Sequence, residues 1–370
     1  MTTDWTEAIA RMRARVAHTA QTVTAGFPHF ADPTTGVWTT SPGGDWTGGF
    51  WNGMLWLTAR YGDDARARAW ATAWTARLRP RAASDTVFRG FLFYYGAALG
   101  SLLCHDAEAR AIALAGAQGL AASYNPRAEA LPLGADAEEA SDVGTGEANV
   151  DTVQAAALLL WAHRETGDAR LRDIAVRHAA RHIEFCLRDD GSVCQSASFD
   201  PSTGRMLRRY THKGITDDST WARAQAWGML GWTLAHLWSG ESRFRDAAER
   251  AADWWLAHAP ADGVAFWDFD DPKIPQTFRD TSATAITTAG LLTLAPRAST
   301  PARSRAYREA AEATAAALVQ RHLRADGMLT DGCYSPRIAL ATRHELIWGS
   351  YYLFEALHLL AGLHDPAKLV

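Results

Sequence analysis

The sequence predicts an all-α protein built as an (α/α)6 barrel, in which an inner layer of helices is surrounded by an outer layer. Ala, Leu and Arg are abundant and β-branched runs are few, which favours helix over strand. Apolar periodicity and breaker residues outline about twelve helical stretches. Apolar stretches alternate with amphipathic, Arg-rich ones, which is the pattern of a buried inner layer and a solvated outer layer.

The predicted helices form pairs in chain order, and the last helix closes the set with the first. They run near 4–24, 46–61, 64–78, 88–103, 106–122, 150–166, 169–188, 218–238, 243–259, 280–295, 301–322 and 343–362. Three junctions within pairs place a glycine before an acidic residue: Tyr61-Gly-Asp-Asp, Thr166-Gly-Asp-Ala and Ser239-Gly-Glu-Ser. Glycine is expected there as a left-handed C-cap, followed by the N-cap region of the next helix.

The links between pairs are longer, and the irregular spacing favours a closed barrel over the alternative of an open superhelical solenoid. We expect one barrel domain over residues 1–370. The chain has 48% hydrophobic residues and a net charge of −4, so intrinsic disorder is excluded. Because 37 Lys and Arg face 41 Asp and Glu, nucleic-acid binding is not expected.

The sequence shows no pattern typical of secretion, membrane insertion or disulfide formation. The start, Met1-Thr-Thr-Asp-Trp, lacks the features of a signal peptide, and no apolar run approaches the roughly 20 residues of a membrane span. We therefore expect a cytoplasmic protein without membrane contact. The four cysteines show no CxxC spacing, so neither a disulfide framework nor a zinc site is predicted.

The starts of the predicted inner helices carry acids, arginines and tryptophans. They are Asp45-Trp46, Arg89, Asn149 to Asp151, Trp221 with Arg223, Arg279-Asp280, and Arg343 with Glu345. In a barrel of this kind they converge on one rim, where helix dipoles present their positive ends. Aromatic faces stack on sugar rings, arginines grip carboxylates, and a carboxylic acid moves protons. Each acid alone is more simply explained as a helix N-cap, but the set indicates a carbohydrate site.

One further pattern concerns two histidines. His178 and His182 lie four residues apart on an amphipathic helix, a spacing that suits a metal pair. No glutamate completes an HExxH motif, so an exposed outer face is the preferred interpretation. Neither a GxGxxG motif nor a P-loop is present in the sequence, and no metal or nucleotide site is predicted.

Four sequence blocks resemble the unsaturated glucuronyl hydrolases, glycoside hydrolase family 88. In chain order they are Trp46-Thr-Gly-Gly-Phe-Trp-Asn-Gly-Met-Leu-Trp-Leu; Asp217-Asp-Ser-Thr-Trp-Ala-Arg-Ala-Gln-Ala-Trp-Gly, preceded by Thr211-His-Lys-Gly; Asp280-Thr-Ser-Ala-Thr-Ala; and Glu345-Leu-Ile-Trp-Gly-Ser-Tyr-Tyr-Leu-Phe-Glu-Ala-Leu. The resemblance covers nearly the whole chain, and the family fold is an (α/α)6 barrel, as predicted above from helix periodicity.

The resemblance implies an unusual hydrolysis of Δ4,5-unsaturated uronic-acid saccharides. In that family one aspartate protonates the C4=C5 enol ether and helps water add at C5, after which the hemiketal opens and the aglycone leaves. No metal or organic cofactor is used. By position the catalytic aspartate is Asp151, whose pKa burial would raise.

The implied substrate-binding residues are Trp46, Arg89, Gln195, His212, Lys213, Trp221 and Arg223. For three of them the residues themselves leave an alternative open. Trp46 and Trp221 could be packing residues, and Arg223 could form an internal ion pair.

The chain departs from the family pattern at three positions. Phe88-Arg-Gly-Phe replaces an Asp-Leu-Gly-Phe stretch, Gln195 stands where a histidine is typical, and Lys213 replaces a glutamine. Without the second carboxylate, and with added cations, the pKa of Asp151 is expected to fall. Two alternatives therefore stay open. One is a diverged enzyme that uses Asp151 to hydrate, eliminate or isomerise another sugar or enol ether, and the other is a non-catalytic saccharide-binding barrel.

Overall fold

Twelve long helical stretches dominate the computed structural model, which describes residues 4–62, 64–200 and 202–366. The helices are α1 (Thr6–Thr22), α2 (Gly48–Gly62), α3 (Ala65–Ala76), α4 (Arg89–Phe93), α5 (Leu99–Cys104), α6 (Ala107–Ala122), α7 (Ala140–Val143), α8 (Ala155–Thr166), α9 (Ala169–Cys186), α10 (Ala222–Ser239), α11 (Ser242–His258), α12 (Thr281–Leu294), α13 (Pro301–Arg321) and α14 (Ile347–Leu360). A π-helical turn, Tyr94–Ala98, joins α4 to α5. The all-α barrel class is confirmed.

The inner helices form a closed ring. Helix α2 contacts α4, α4 contacts α8, and the ring continues through α10 and α12 to α14, which packs against α2. Helix α1 packs on α14, as the sequence predicted for the first and last helices. An open solenoid has no contact between its two ends, so that alternative is wrong.

Burial separates the two layers. Every residue of the inner helix α12 is buried, whereas α9 in the outer layer buries one apolar face and exposes the other. An apolar helix needs neighbours on all sides, and an amphipathic helix needs a neighbour on one side only. Among the described residues, no helix combines the length and the apolar character that a membrane crossing requires.

Two of the predicted helix junctions are confirmed in detail. Gly167 ends α8 and Gly240 ends α10, both with φ of 75°, the left-handed conformation that glycine adopts without a steric penalty. Asp168 then caps α9 by accepting a hydrogen bond from Arg170 N at 2.9 Å. Glu241 occupies the same place before α11, but its side chain makes no capping hydrogen bond.

Two small antiparallel sheets are present, of which five strands lie between the predicted helices and the sixth, Glu345–Leu346, lies inside the predicted helix 343–362. The first has the order β2 (Trp38–Ser41), β1 (Phe27–Ala31) and β6 (Glu345–Leu346). The second has the order β3 (Ala148–Asn149), β4 (Ser196–Phe199) and β5 (Met206–Tyr210). Strands this short carry too few alternations to be recognised by periodicity. They matter for the site because β3 leads into Asp151 and β5 leads into the segment 211–213.

Candidate active site

Asp151 lies in a short 3-10 helix, Val150–Gln154, between β3 and α8. Asp151 is 7% exposed, and it is the N-cap neither of this short helix, where Asn149 has that place, nor of α8, where Gln154 has it. Among the described residues its Oδ1 atom has no hydrogen-bond partner. The simpler explanation of Asp151 as a helix N-cap therefore fails, and the carboxyl is available for chemistry.

Burial and the nearby Glu139 carboxylate raise the pKa of Asp151 to about 7, although His212 and Arg223 act in the opposite direction. A carboxyl with such a pKa holds its proton in a large fraction of molecules at neutral pH, so it can serve as a proton donor. The expectation that Asp151 would have no carboxylate neighbour, and hence a lowered pKa, is wrong. Glu139 supplies that neighbour from another part of the chain.

Glu139 lies at the start of the short helix α7, in the acidic loop between α6 and β3. Its Oε2 atom is 2.8 Å from His212 Nε2, and its Oε1 atom is 2.9 Å from Lys213 Nζ. Asn149 Nδ2 donates a longer hydrogen bond to Oε2, at 3.4 Å. Burial alone would raise the pKa of Glu139, but Lys213 and His212 outweigh it and hold that pKa well below its ordinary value.

The segment that carries His212 and Lys213 is held by Gln195. The Gln195 Oε1 atom accepts hydrogen bonds from Thr211 Oγ1 at 2.6 Å, His212 N at 3.1 Å and Lys213 N at 2.9 Å. With three donors on one oxygen, the amide fixes the turn that follows β5. Gln195 thus lies beside the site, and its side-chain oxygen is already hydrogen-bonded to the segment 211–213.

Arg223 is almost fully buried at the start of α10 and makes internal contacts. It donates to the backbone oxygens of Cys333, at 2.7 Å, and Tyr334, and its Nη1 atom lies 3.3 Å from Asp280 Oδ2. Its guanidinium also lies over the ring of Trp221, 4.6 Å from the ring centre. The structure therefore contains the internal ion pair that the sequence left open, close enough to Asp151 to act on its pKa.

Aromatic rings form one wall of the site. Trp46 packs against Trp348, with ring centres 4.6 Å apart, and lies nearly parallel to Tyr334 at 6.5 Å. Phe88, which replaces the second aspartate of the family pattern, packs 6.2 Å from Trp46. Lys213 Nζ lies 5.3 Å from the centre of the Tyr334 ring. The aromatic wall and the Glu139 cluster are thus joined through Lys213.

Arg89 is not brought into this cluster. Its guanidinium donates to the backbone oxygens of Thr86, at 2.8 Å, and Ala82, at 3.3 Å, and to Ser123 Oγ at 3.1 Å. The prediction that Arg89 binds substrate is corrected here, because all of these contacts are with the segments around the start of α4 and the end of α6. The guanidinium of Arg89 finds hydrogen-bond acceptors close to its own backbone, so its place at a helix start does not bring it to the cluster around Asp151.

The histidine pair on α9 is neither exposed nor placed to hold a metal. His178 Nδ1 accepts from Leu131 N at 3.1 Å, and its Nε2 donates to Thr152 O at 2.8 Å. His182 Nδ1 lies 2.8 Å from His178 O, and its Nε2 lies 3.2 Å from Thr152 Oγ1. Both rings are fully buried and hold the backbone next to Asp151, so the expectation of an exposed face is wrong.

Over the described ranges, no group of three or more His, Cys, Asp or Glu side chains is arranged to hold a metal ion.

The residue that sequence reasoning missed is Glu139. It stands in a loop rich in alanine, glycine and acids, where nothing in the spacing separates it from Glu138. Its only signal is its position ten residues before Asn149, close enough along the chain for the loop to fold back over β3.

Comparisons with known proteins agree with this geometry. An unsaturated glucuronyl hydrolase from Bacillus sp. (strain GL1) is 35% identical over 364 residues, covering 95% of this chain and 96% of the relative. A solved structure of the Bacillus sp. GL1 enzyme, described as responsible for the degradation of glycosaminoglycan, has a TM-score of 0.89 at 34% identity and covers 96% of both chains. No protein-family model matches the sequence.

A second solved structure adds a bound saccharide. It is an aspartate-to-asparagine variant of the unsaturated glucuronyl hydrolase from Streptococcus agalactiae, in complex with dGlcA-GalNAc6S. The TM-score is 0.82 at 25% identity, and the match covers 98% of this chain and 92% of that one. The near-complete coverage and the identity to the Bacillus enzyme show that the chain belongs to the unsaturated glucuronyl hydrolase family.

Proposed function

We propose that this protein hydrolyses saccharides that carry a Δ4,5-unsaturated uronic acid, by hydrating the C4=C5 enol ether with Asp151 as general acid and base. The observation that carries the proposal is the Asp151 carboxyl itself, which is buried, has an oxygen without a hydrogen-bond partner among the described residues and lies close enough to Glu139, His212 and Arg223 for their charges to act on it. Family membership supports the same reaction, because the relatives named above are unsaturated glucuronyl hydrolases.

The reaction begins with proton transfer from the neutral Asp151 carboxyl to C4, which leaves positive charge at C5 shared with the ring oxygen. The resulting Asp151 carboxylate takes a proton from water as the water oxygen bonds to C5, so the acid is regenerated. The hemiketal at C5 then opens to a ketone, and the aglycone leaves from C1. One water is consumed, and a group whose pKa is about 7 exchanges its proton readily in both steps.

The surroundings suit an acidic sugar. Lys213 and His212 are each about one-eighth exposed, so a substrate carboxylate can reach them more easily than it can reach the buried Arg223. The Trp46 and Trp221 rings supply flat apolar faces, although most of their surface is already packed. We accordingly propose Lys213 and His212 as the groups that bind the substrate carboxylate. A metal-free, cytoplasmic enzyme remains our expectation.

The test uses unsaturated disaccharides of several uronates and follows the loss of the enol-ether absorbance near the ultraviolet edge. We expect turnover by the natural protein and its loss in Asp151→Asn. The matched control is Asp142→Asn, an exposed aspartate on α7, which should keep full activity. Equal turnover by Asp151→Asn and Asp142→Asn would refute the role of Asp151.

The same assay separates the two alternatives. If no uronide is consumed while another sugar or enol ether is converted with the same dependence on Asp151, the substrate assignment is wrong and the acid–base role stands. Saccharide binding without conversion of any compound, equal in natural protein and Asp151→Asn, would identify a binding protein. The Phe88, Gln195 and Lys213 departures are the reason to include both outcomes in the design.

A further inference from the structure

Glu139 is placed by the fold, not by any motif, beside the residue on which the chemistry depends. We propose that Glu139 is the second carboxylate of this active site, a positioning residue that orders Lys213 and His212 and keeps a negative charge next to the Asp151 carboxyl. The proposal rests on the proposed function in one respect, which is that Asp151 acts as the proton donor. It deepens that function by naming a residue that influences whether Asp151 is protonated.

The geometry around Glu139 is that of a built cluster. Both carboxylate oxygens are used, with Lys213 at 2.9 Å on Oε1 and His212 at 2.8 Å on Oε2. The side chain of Glu139 is 9% exposed and those of its two partners are 12% exposed, so the ion pairs are shielded from water. Charge-assisted contacts of this length fix both partners in orientation as well as in position.

The cluster also explains why lysine is tolerated at position 213. A buried ammonium without a counter-ion is costly, because its desolvation is not repaid. Glu139 supplies the counter-ion, and the pair raises the pKa of Lys213 even though burial opposes this. Glu139 and Lys213 are therefore interdependent. Phe88 carries no carboxylate, and Glu139 supplies one from the loop between α6 and β3.

The charges that act on Asp151 come from several elements. Glu139 precedes α7, His212 follows β5, and Arg223 lies in the first turn of α10, where it is paired with Asp280. On α9, Cys186 is close enough for its pKa to respond to Asp151, and the buried His182 contacts the adjacent Thr152.

Besides burial, the negative charge of Glu139 raises the pKa of Asp151, whereas His212 and Arg223 lower it. If the charge of Glu139 is removed, the cations remain. The Asp151 carboxyl should then lose its proton at a lower pH, and less of the acid form is present at neutral pH. A role in folding alone would lower activity without moving this titration.

The experiment compares Glu139→Gln with Glu138→Gln. Glu138 is the adjacent residue of the same loop and pairs with Arg81 instead, so it is a matched control. The titration of Asp151 is followed without substrate by the carboxyl carbon signal of ¹³C-labelled aspartate, assigned by its absence in Asp151→Asn. We expect the midpoint to fall by about one pH unit or more in Glu139→Gln. It should stay unchanged in Glu138→Gln.

Kinetics provide the second readout. With a disaccharide that the natural protein hydrolyses, Glu139→Gln should lower kcat at pH 7 by about fivefold or more and move the upper limb of the pH profile to lower pH, with a smaller change in KM. Glu139→Asp keeps the charge and should recover most of the Asp151 midpoint. An unchanged midpoint in folded Glu139→Gln, or a midpoint in Glu139→Asp as low as in Glu139→Gln, would overturn the proposal.

Two further outcomes also need an interpretation, a variant that does not fold and a natural protein that consumes no uronide. If Glu139→Gln does not fold because Lys213 is left unpaired, the double variant Glu139→Gln/Lys213→Gln removes both charges together. The Asp151 midpoint in that variant should still be below that of the natural protein, and an unchanged midpoint would overturn the proposal. If the midpoint shifts as expected but no uronide is consumed even by the natural protein, the proposed function fails while the assignment of Glu139 stands.

Discussion

Two inner helices are preceded by an aspartate, Asp151 in the short 3-10 helix before α8 and Asp280 at the N-cap of α12, and the contacts of the two aspartates differ. Asp280 Oδ1 accepts hydrogen bonds from Ser282 N at 3.0 Å, Ser282 Oγ at 2.6 Å and Ala283 N at 3.3 Å. Its other oxygen faces Arg223. Asp151 makes none of these contacts and keeps an oxygen without a partner among the described residues.

The difference arises from what precedes each helix. Before α8 the chain is paired in a sheet, and Val150 N donates to Gln195 O at 2.8 Å, so the backbone there already has a partner. Thr152 Oγ1 bonds to Asn149 O at 2.6 Å and closes the turn. Because backbone groups before α8 find hydrogen-bond partners without Asp151, its carboxyl is not used as a helix cap. A helix-start acid is thus a candidate for catalysis when other groups satisfy that start.

The largest expected effect is the loss of catalytic rate when Asp151, before α8, is replaced. Asp151→Asn should reduce kcat by about 10²- to 10⁴-fold, since general acid–base catalysis is lost. Its folding stability should not fall. A raised native pKa means that Asp151 stabilises the fold below about pH 4 and that this contribution is lost as pH rises through about 7.

Asparagine carries no charge, so at pH 9 the variant should be more stable than the natural protein, by up to about 4 kcal/mol. Chemical denaturation at pH 4 and pH 9 measures this difference. A variant that is destabilised at both values would place Asp151 in the same structural class as Asp280.

The second effect is on stability at α12. Asp280→Ala removes the cap and leaves Arg223 buried without its carboxylate, which should cost about 3–5 kcal/mol. Asp262→Ala is the control, because its pair with Arg279 is partly exposed and should cost about 1 kcal/mol or less. Equal costs in the two variants, measured by denaturant unfolding, would remove the structural role assigned to Asp280.

The third effect is the pH dependence of the rate. Asp151 must be protonated to donate to C4, so kcat should fall as pH rises above about 7, approaching tenfold per pH unit. Because Lys213 and His212 hold the pKa of Glu139 well below its ordinary value, Glu139 stays ionised across the working range. A profile from pH 5 to 9 checks this, and an upper limb near pH 4 or 5 would contradict the raised pKa of Asp151.

The smallest effect concerns a third helix start, that of α4. Arg89→Met should leave kcat and KM unchanged, since the guanidinium contacts Thr86, Ala82 and Ser123 away from the cluster. The lost hydrogen bonds should lower the free energy of unfolding by about 1–2 kcal/mol. A rise in KM without loss of stability would restore Arg89 to the substrate-binding residues.

Sequence periodicity predicted the helices well because each inner helix is apolar on all sides and each outer helix on one. The boundaries of α9 and α13 differ from the predicted ones by two residues or fewer. The strands were missed because β3 and β6 are two residues long. Asp151 was predicted by its position relative to the family pattern. Arg89 was predicted to bind substrate from its place at a helix start, but position on a rim does not determine where a long side chain finds its partners.

The sequence by itself determined the barrel and the family, since these depend on local patterns that can be recognised without knowledge of contacts, and it predicted Asp151 as the catalytic aspartate by position. Only the tertiary structure decided which rim residues meet. It joined Glu139 to Lys213 across 74 positions of the chain and turned the buried His178 and His182 toward Thr152. The charge beside Asp151 depends on these long-range contacts, and a pKa is set by distance and burial, neither of which is written in the order of residues.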